Sequence, residues 1–325
     1  MGRRLTVLVF ASLIVSACYK SHELGDDGGI RHDLGRGVCV PGANEPVPCG
    51  RCGTAYRLCM PDATWGGLSA CTGETETCGL DVMLLADVTG SHTGVFQSSA
   101  DALSNELIIP LGRDADTRVG VSAFADYPFG GYGSSPDVPF IGVLPPTHDV
   151  GAVTEAVRHI MFLGGVDQPE SEIEGLNDLA GGVPHPTAVP FHCTSGVGGG
   201  CWRAAAAWRV IIVMTDTASH SLPGPSGNLV EPYGTDLSPP APDWDVVRSL
   251  LLESGTYVYW IVPNDSGGSG TGFVSAAAQA YELARQLGED PLEAVTTYDG
   301  GTTTGAIAQV RERVITHFGL HTSGP

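Results

Sequence analysis

Three side chains with oxygen donors stand two residues apart in Asp87-Val-Thr89-Gly-Ser91, directly after an apolar run. Alternate residues of an extended chain face the same side, so these oxygens can converge on one point. A hard cation such as Mg²⁺ takes oxygen ligands in an octahedral array and keeps water in some positions. Such a triplet is common by itself, but its place after a buried strand predicts a divalent-cation site.

A further carboxylate ends the run WRVIIVMTD, whose last residue is Asp216. The run reads as a central strand, and so does the one that ends in Asp87. Ligands of open parallel sheets bind beyond the carboxyl ends of the strands, so we expect both carboxylates and several hydroxyls at one sheet edge. The alternative is that these side chains only cap helices and bind loop amides.

Short apolar runs alternate with amphipathic stretches from Leu80 onward. The predicted strands are 81–87, 117–126, 208–216, 256–263 and 294–298, and the predicted helices are 95–107, 150–161, 170–180, 244–253, 275–287 and 304–318. This order predicts an α/β fold: a doubly wound, mainly parallel, Rossmann-like sheet with helices on both faces.

The composition restricts the possible partners. A formal net charge of -20 argues against nucleic acid and against anionic lipid surfaces as partners. The 45 glycines and 23 prolines predict many loops, yet the chain after Leu80 is long enough to bury one large core.

The N-terminus has the features of an export signal, predicted to cover residues 1–18. Arg3 and Arg4 precede an apolar run that is shorter than the roughly 20 residues needed to span a membrane. Val15-Ser16-Ala17-Cys18 resembles a bacterial lipobox, which implies lipidation at Cys18; the alternative is an ordinary signal peptide cut elsewhere. Tyr19 is not the aspartate of an inner-membrane retention signal. We therefore predict an extracytoplasmic chain that its lipid alone anchors to a membrane, by default the outer membrane.

In residues 19–37 the apolar residues do not recur at helix or strand spacing, so this stretch is predicted to be a flexible tether. Residues 38–79 form a predicted disulfide module, with six cysteines at 39, 49, 52, 59, 71 and 78. The spacing Cys49-x-x-Cys52 would also fit half of a zinc site, but export favours disulfides. The module resembles small cysteine-rich modules on surface proteins of myxobacteria, and the pairing stays open.

Two more cysteines, Cys193 and Cys201, enclose a glycine-rich loop before the central strand. We predict a local disulfide rather than free thiols. This disulfide either shapes a recognition loop near the predicted cation site or only restrains a glycine-rich insertion.

Residues 80–320 resemble a von Willebrand factor A domain, and within that superfamily the I-like domain of integrin β subunits. The resemblance rests on four segments in the right order: 87–91, 118–126, 165–170 and 213–220. It implies a metal-ion-dependent adhesion site. The ligands that the resemblance implies for this site are Asp87, Thr89, Ser91, Glu170 and Asp216.

The resemblance also implies an adjacent second site, for Ca²⁺, formed by Asp126, Asp167, the carbonyl of Pro169, and Glu170. The family uses an asparagine where this chain has Gly165, so the second site has fewer ligands. His220 would suit a zinc ligand or a catalytic base. Because the family tolerates a histidine there without a catalytic role, we predict no role for it.

The implied mechanism is coordination rather than catalysis, so the chain is predicted not to be an enzyme. A protein or glycan partner supplies a carboxylate that displaces water from Mg²⁺. One alternative is a metal-dependent hydrolase that uses the same carboxylates. Another is a metal-free scaffold whose cysteine-rich module does the binding.

Overall fold

The computed structural model describes residues 41–318, apart from 43, 50–52, 63, 65, 68, 74–77, 114–115, 168, 204–206, 236, 265–273 and 301. The predicted signal peptide, the lipidation site Cys18 and the tether lie outside the described residues, as do Cys39 and Cys52. In the described part of the chain, no helix has the length and apolar character needed to cross a membrane.

Two strands, β1 (Asn44–Cys49) and β2 (Gly53–Leu58), pair antiparallel in the N-terminal module. Cys59, Cys71 and Cys78 are disulfide-bonded, in line with the disulfides expected for this module.

The remaining strands form one six-stranded sheet. They are β3 (Gly79–Asp87), β4 (Thr117–Phe124), β5 (Ile141–Thr147), β6 (Ala207–Met214), β7 (Thr256–Pro263) and β8 (Val295–Tyr298). Their order is β5-β4-β3-β6-β7-β8, and every pair is parallel except β4 with β5. The predicted mainly parallel sheet is confirmed.

Helices cover both faces of this sheet. They are α1 (Thr93–Ala102), continued by a π-helical segment (Leu103–Ile108) and α2 (Ile109–Leu111), then α3 (Val150–Arg158), α4 (Glu172–Ala180), α5 (Trp244–Glu253), α6 (Ala276–Gln286), α7 (Pro291–Ala294) and α8 (Thr304–Phe318).

Strand β3 shows how the two cores arise, because it is buried along its whole length. Val82 and Leu84 pack into one core with α1, α3 and α8, whereas Met83 and Leu85 pack into the other with α4, α5 and α6. Successive side chains of a strand point to opposite faces, so a continuous apolar run serves both cores. The doubly wound α/β class is thereby confirmed.

Several elements are not predicted from the sequence: β1 and β2 of the N-terminal module, strand β5, and the short helices α2 and α7. Strand β5 contains Pro145 and Pro146, which argue against a strand in a sequence pattern. It is the edge strand of the sheet and runs antiparallel with register shifts, which is where proline is tolerated. Helix α4 begins at Glu172 rather than at Glu170, so Glu170 belongs to the preceding loop.

Candidate metal centre

The central strand β3 marks a switch point of the sheet, because the chain continues to β4 on one side and later to β6 on the other. Open α/β sheets bind ligands in the crevice beyond such a point. Asp87 is the last residue of β3, and Asp216 is the second residue after β6. The parallel register pairs Ala86 with Met214, so both carboxylates leave the sheet at the same edge.

Asp87 is fully buried and organises the hydroxyl groups around it. Its Oδ1 accepts from the Thr89 backbone N–H at 2.9 Å and from Thr89 Oγ1 at 2.7 Å, and its Oδ2 accepts from Thr215 Oγ1 at 2.7 Å. The carbonyl of Asp87 accepts from His92 Nδ1 at 2.9 Å. Because Thr89 donates its hydroxyl proton to Asp87, the lone pairs of Thr89 Oγ1 remain available to a cation. From the sequence, the hydroxyl of Thr215 is expected at this sheet edge together with Asp216, but its bond to Asp87 is not.

Ser91 joins the two strand ends. Its Oγ donates to Asp216 Oδ1 at 3.1 Å and lies 3.3 Å from Thr89 Oγ1. Ser91 is exposed and Asp216 is half-buried, so the site opens to solvent on this side. Partial burial and the nearby Asp87 carboxylate raise the pKa of Asp216 above its usual range.

Glu170 enters from a third stretch of the chain and is held by backbone pairing. Its N–H donates to the Ala218 carbonyl at 3.1 Å, and its carbonyl accepts from the His220 N–H at 2.9 Å. The side chain is 2% exposed, and Oε2 has no hydrogen-bond partner among the described residues. A buried carboxylate oxygen without a partner is costly, which suits it to a cation.

The surroundings of Glu170 are strongly acidic. Burial raises the pKa of this carboxyl to about 10, with further contributions from Asp87, Asp126 and Asp167. None of the ion pairs found among the described residues brings an arginine or a lysine to Glu170, Asp87 or Asp216. The donor set consists of hard oxygens only and includes three carboxyl groups, so it fits Mg²⁺.

A glycine allows the loops of the site to approach each other. Gly165 has φ +77°, and a Cβ there would lie 3.1 Å from Glu170 Oε1 and 3.3 Å from the Thr89 Cβ. The carboxylate of Asp137 fixes this stretch, because it accepts from the N–H groups of Gly164 at 2.7 Å and Gly165 at 3.2 Å. No motif in the sequence points to Asp137, so sequence reasoning missed it.

A second group of titratable side chains lies beside the first. One ligand atom each of Asp126, Asp167 and His220 lies within 4.8 Å of the others. Pro169, whose carbonyl was predicted to join the second site, is buried next to Glu170. No role was predicted for His220, yet it lies beside Asp126 and Asp167, the two aspartates of the predicted second site.

The charges of this second group depend on one another. Burial raises the pKa of Asp126 to about 7, although the Tyr233 hydroxyl and His220 oppose the change. Burial acts to lower the pKa of His220, but Asp167, the Glu231 carbonyl and Asp126 together raise it above its usual value. The imidazole and the two carboxylates are therefore electrostatically coupled.

The disulfide Cys193–Cys201 is present, as expected. It lies away from the proposed metal residues, so it does not shape the recognition surface predicted beside them. Its loop lies against the C-terminal end of α4, where a Cβ on Gly199 would clash with the Asp178 backbone. The loop also precedes the amino end of β6, whereas the metal residues follow the carboxyl ends. The structure thus favours the role of tying down a glycine-rich insertion.

No protein-family model matches the chain, and no curated protein matches it in sequence. Solved structures do match in chain fold. Proximal thread matrix protein 1 from the mussel byssus, in a structure with a zinc-occupied MIDAS motif, is 16% identical with a TM-score of 0.45 and covers 73% of this chain and 48% of its own. The pilus adhesin SpaC from Lactobacillus rhamnosus GG is 13% identical with a TM-score of 0.45, covering 82% of this chain and 32% of its own. The chain thus spans less than half the length of either protein.

Proposed function

We propose that this chain is an exported, lipid-anchored protein that binds a protein or glycan partner through Mg²⁺ in a domain of the von Willebrand factor A kind. The residues that hold the ion in this proposal are Asp87, Thr89, Ser91, Glu170 and Asp216. A bound Mg²⁺ supplies an open coordination position to a carboxylate of the partner. The chain has no catalytic role in this proposal.

One observation carries the proposal: hydrogen bonds join the oxygens of the 87–91 loop to Asp216 at the switch point of the sheet, where Gly165 lies against both Thr89 and Glu170. None of the arginine ion pairs among the described residues involves Asp87, Glu170 or Asp216. Asp87 orients Thr89 at 2.7 Å, and Ser91 reaches Asp216 at 3.1 Å. Glu170 adds a buried carboxylate oxygen that has no hydrogen-bond partner in the described part of the chain. Helix caps would satisfy such groups with backbone N–H donors, which is not the arrangement around Glu170.

The exposure of the site suits a macromolecular partner. Asp87 and Glu170 are buried, whereas Ser91 is exposed and Asp216 is half-buried. A partner therefore reaches the ion from the solvent-exposed Ser91 side, and the buried carboxylates bind the ion from the protein interior. Outer partners such as Thr215 keep the ligands oriented, and such groups matter nearly as much as the ligands themselves.

Magnesium titration of the full chain tests the proposal. We expect Mg²⁺ to raise the melting temperature, because a ligand at 100 times its Kd adds about 2.7 kcal/mol to stability. Asp87→Ala should abolish this shift, and Ser91→Ala, which changes an exposed side chain, should weaken it. Asp101→Ala, in which an exposed carboxylate on α1 is removed, is the matched control and should respond like the wild type. An unchanged response in Asp87→Ala contradicts the assignment.

Partner binding and anchoring need separate readouts. Capture of a partner from cells in Mg²⁺, and its loss in EDTA, supports binding; EDTA-sensitive turnover of an ester, peptide or phosphate supports a hydrolase instead. Absence of any heat on Mg²⁺ or Ca²⁺ addition supports the metal-free scaffold.

Incorporation of labelled fatty acid should disappear in Cys18→Ser, and persistent labelling counts against the anchor.

A further inference from the structure

The groups around His220 hold its ring in one orientation and leave one ring nitrogen, Nε2, without a hydrogen-bond partner among the described residues. Its Nδ1 lies 2.5 Å from the Glu231 carbonyl, which can only accept, so Nδ1 carries the proton of this hydrogen bond. Glu231 has φ +30°, an uncommon conformation for a residue with a side chain. Tyr132 and Tyr233 flank the ring, with centroids 5.3 Å and 4.5 Å away. Nε2 is therefore directed toward the two aspartates.

Asp126 is arranged in the same way. Its Oδ1 accepts from the Tyr127 N–H at 2.6 Å and from the Tyr233 hydroxyl at 2.7 Å, so one oxygen is fully used. Asp167 Oδ1 is buried without a hydrogen-bond partner in the described chain, although Asp167 Oδ2 is the oxygen nearer His220. Asp126 Oδ2 and His220 Nε2 are buried and unpartnered too, and in these two side chains the other polar atom is hydrogen-bonded. Metal ligands in proteins show this pattern, in which outer hydrogen bonds hold one atom of the side chain and leave the other for the ion.

The distances from His220 Nε2 to the two carboxylates are longer than those of a charged hydrogen bond. His220 Nε2 lies 3.4 Å from Asp167 Oδ2 and 3.8 Å from Asp126 Oδ2. Charged N–H···O bonds are about 2.7–2.9 Å long. Two ligands at ~2.1 Å from a tetrahedral ion are about 3.4 Å apart, which is close to the distances found.

We propose that Asp126, Asp167 and His220 form a second metal site that takes a zinc-class ion. The imidazole nitrogen sets the class, because imidazole favours zinc and its neighbours in the first transition row, whereas oxygen-only sets favour Mg²⁺ and Ca²⁺. Asp167 is 32% exposed, so a fourth position is open to solvent or to a ligand. The site does not rest on the proposed function, because Asp87, Ser91 and Asp216 take no part in it.

Zinc binding to the full chain, without a histidine tag and with its disulfides intact, tests this proposal. Competition with a chromophoric chelator should show that His220→Gln lowers the Zn²⁺ affinity at least about tenfold, a loss that even outer-shell changes produce. X-ray absorption at the zinc edge should show imidazole backscattering in the wild type and lose it in this variant. His159→Gln is the matched control, because His159 also stands beside a carboxylate, that of Glu155, but is 75% exposed.

Two further variants keep the result decisive. Asp167→Asn changes a partly exposed ligand, so it reports on the site even where His220→Gln fails to fold, and it should weaken zinc binding in the same direction. Asp87→Ala should keep the zinc affinity whether or not Mg²⁺ binds. Equal zinc affinity in wild type, His220→Gln and Asp167→Asn overturns the proposal. Loss of zinc in Asp87→Ala alone also overturns it, because the ion then occupies the first site.

Discussion

Buried carboxyl groups in this protein fall into two kinds. Glu172 and Glu174 are satisfied: Glu172 accepts from Trp260 Nε1 at 2.9 Å, and Glu174 accepts from the Tyr127 hydroxyl at 2.7 Å. Asp178 is 1% exposed, and neither of its oxygens has a hydrogen-bond partner among the described residues. Asp178 is therefore expected to be neutral in the folded protein at moderate pH, because an unpaired buried charge is costly.

Asp178 should make stability depend on pH in a defined direction. Burial, with a smaller contribution from Glu174, raises the pKa of this carboxyl from 3.8 to about 8. The folded state then binds the proton more tightly than the unfolded state, so stability falls as the pH rises from about 4 to about 8. Asp178→Asn cannot ionise and should melt at least about 2 °C above the wild type at pH 8, since 1 kcal/mol corresponds to roughly 2–4 °C.

Thermal melts between pH 4 and pH 9 check this prediction. Asp101→Asn serves as the control, because its carboxylate is exposed and pairs with Arg158 at the surface, where ion pairs contribute little. The control should keep the slope of the wild type. If Asp178→Asn keeps that slope as well, the pH dependence comes from another group.

At the scale of elements, close packing of α4 on β3 positions two parts of the metal site. Helix α4 begins two residues after Glu170, and β3 ends at Asp87. The contact includes Gly175, where a Cβ would lie 2.9 Å from Leu85 side-chain carbons. The absence of a side chain at this position lets the helix lie close to the strand.

Gly175→Ala should therefore destabilise the fold by about 1–3 kcal/mol, the usual cost of overpacking a core. It should also weaken Mg²⁺ binding, because a displaced α4 moves Glu170 away from Asp87. Urea denaturation and a Mg²⁺ titration measure the two effects.

Gly305→Ala is the matched helical control. Gly305 lies in α8 with no atom within 4 Å of a Cβ built there, so the change should be neutral or stabilise by up to about 1 kcal/mol. Equal stability of the two variants would mean that the Gly175 contact relaxes without cost.

At the scale of the whole molecule, the proposed Mg²⁺ ligands and the N-terminal hairpin lie at opposite edges of the sheet. Arg57 of β2 lines a cavity of about 610 Å³ together with Thr256, Tyr257 and Gly288. Thr256 begins β7, so this cavity is at the amino edge of the parallel strands. Of the proposed Mg²⁺ ligands, Asp87 ends β3 and Asp216 follows β6, both at the carboxyl edge.

A chain that begins at residue 79 should therefore keep the Mg²⁺ response of the full chain. Every proposed ligand of the first site lies in the range 87–216, and the sheet core is built from residues after Gly79. Melting with and without Mg²⁺ measures this, with the Asp87→Ala form of the same truncated chain as control. A truncated chain that folds but loses the Mg²⁺ response assigns the binding to the cysteine-rich module.

The sequence by itself determined the class of the fold and the edge at which the chemistry lies. Apolar runs such as 81–87 and 208–216 are local patterns, and a run buried on both faces implies a parallel sheet covered by helices. Asp87 and Asp216 follow from the same patterns, because they end these runs. Strand β5 did not follow, because an edge strand buries too little to leave a pattern and tolerates proline.

Only the tertiary structure decided which further side chains join the predicted groups. Asp137 fixes Gly164 and Gly165, Thr215 donates to Asp87, and His220 faces Asp126 and Asp167, although these residues are far apart in the chain. The physical reason is that such contacts depend on how loops fold back over the sheet edge. Loop paths follow from backbone hydrogen bonds and from close approaches at glycine, which no periodic pattern of apolar residues records.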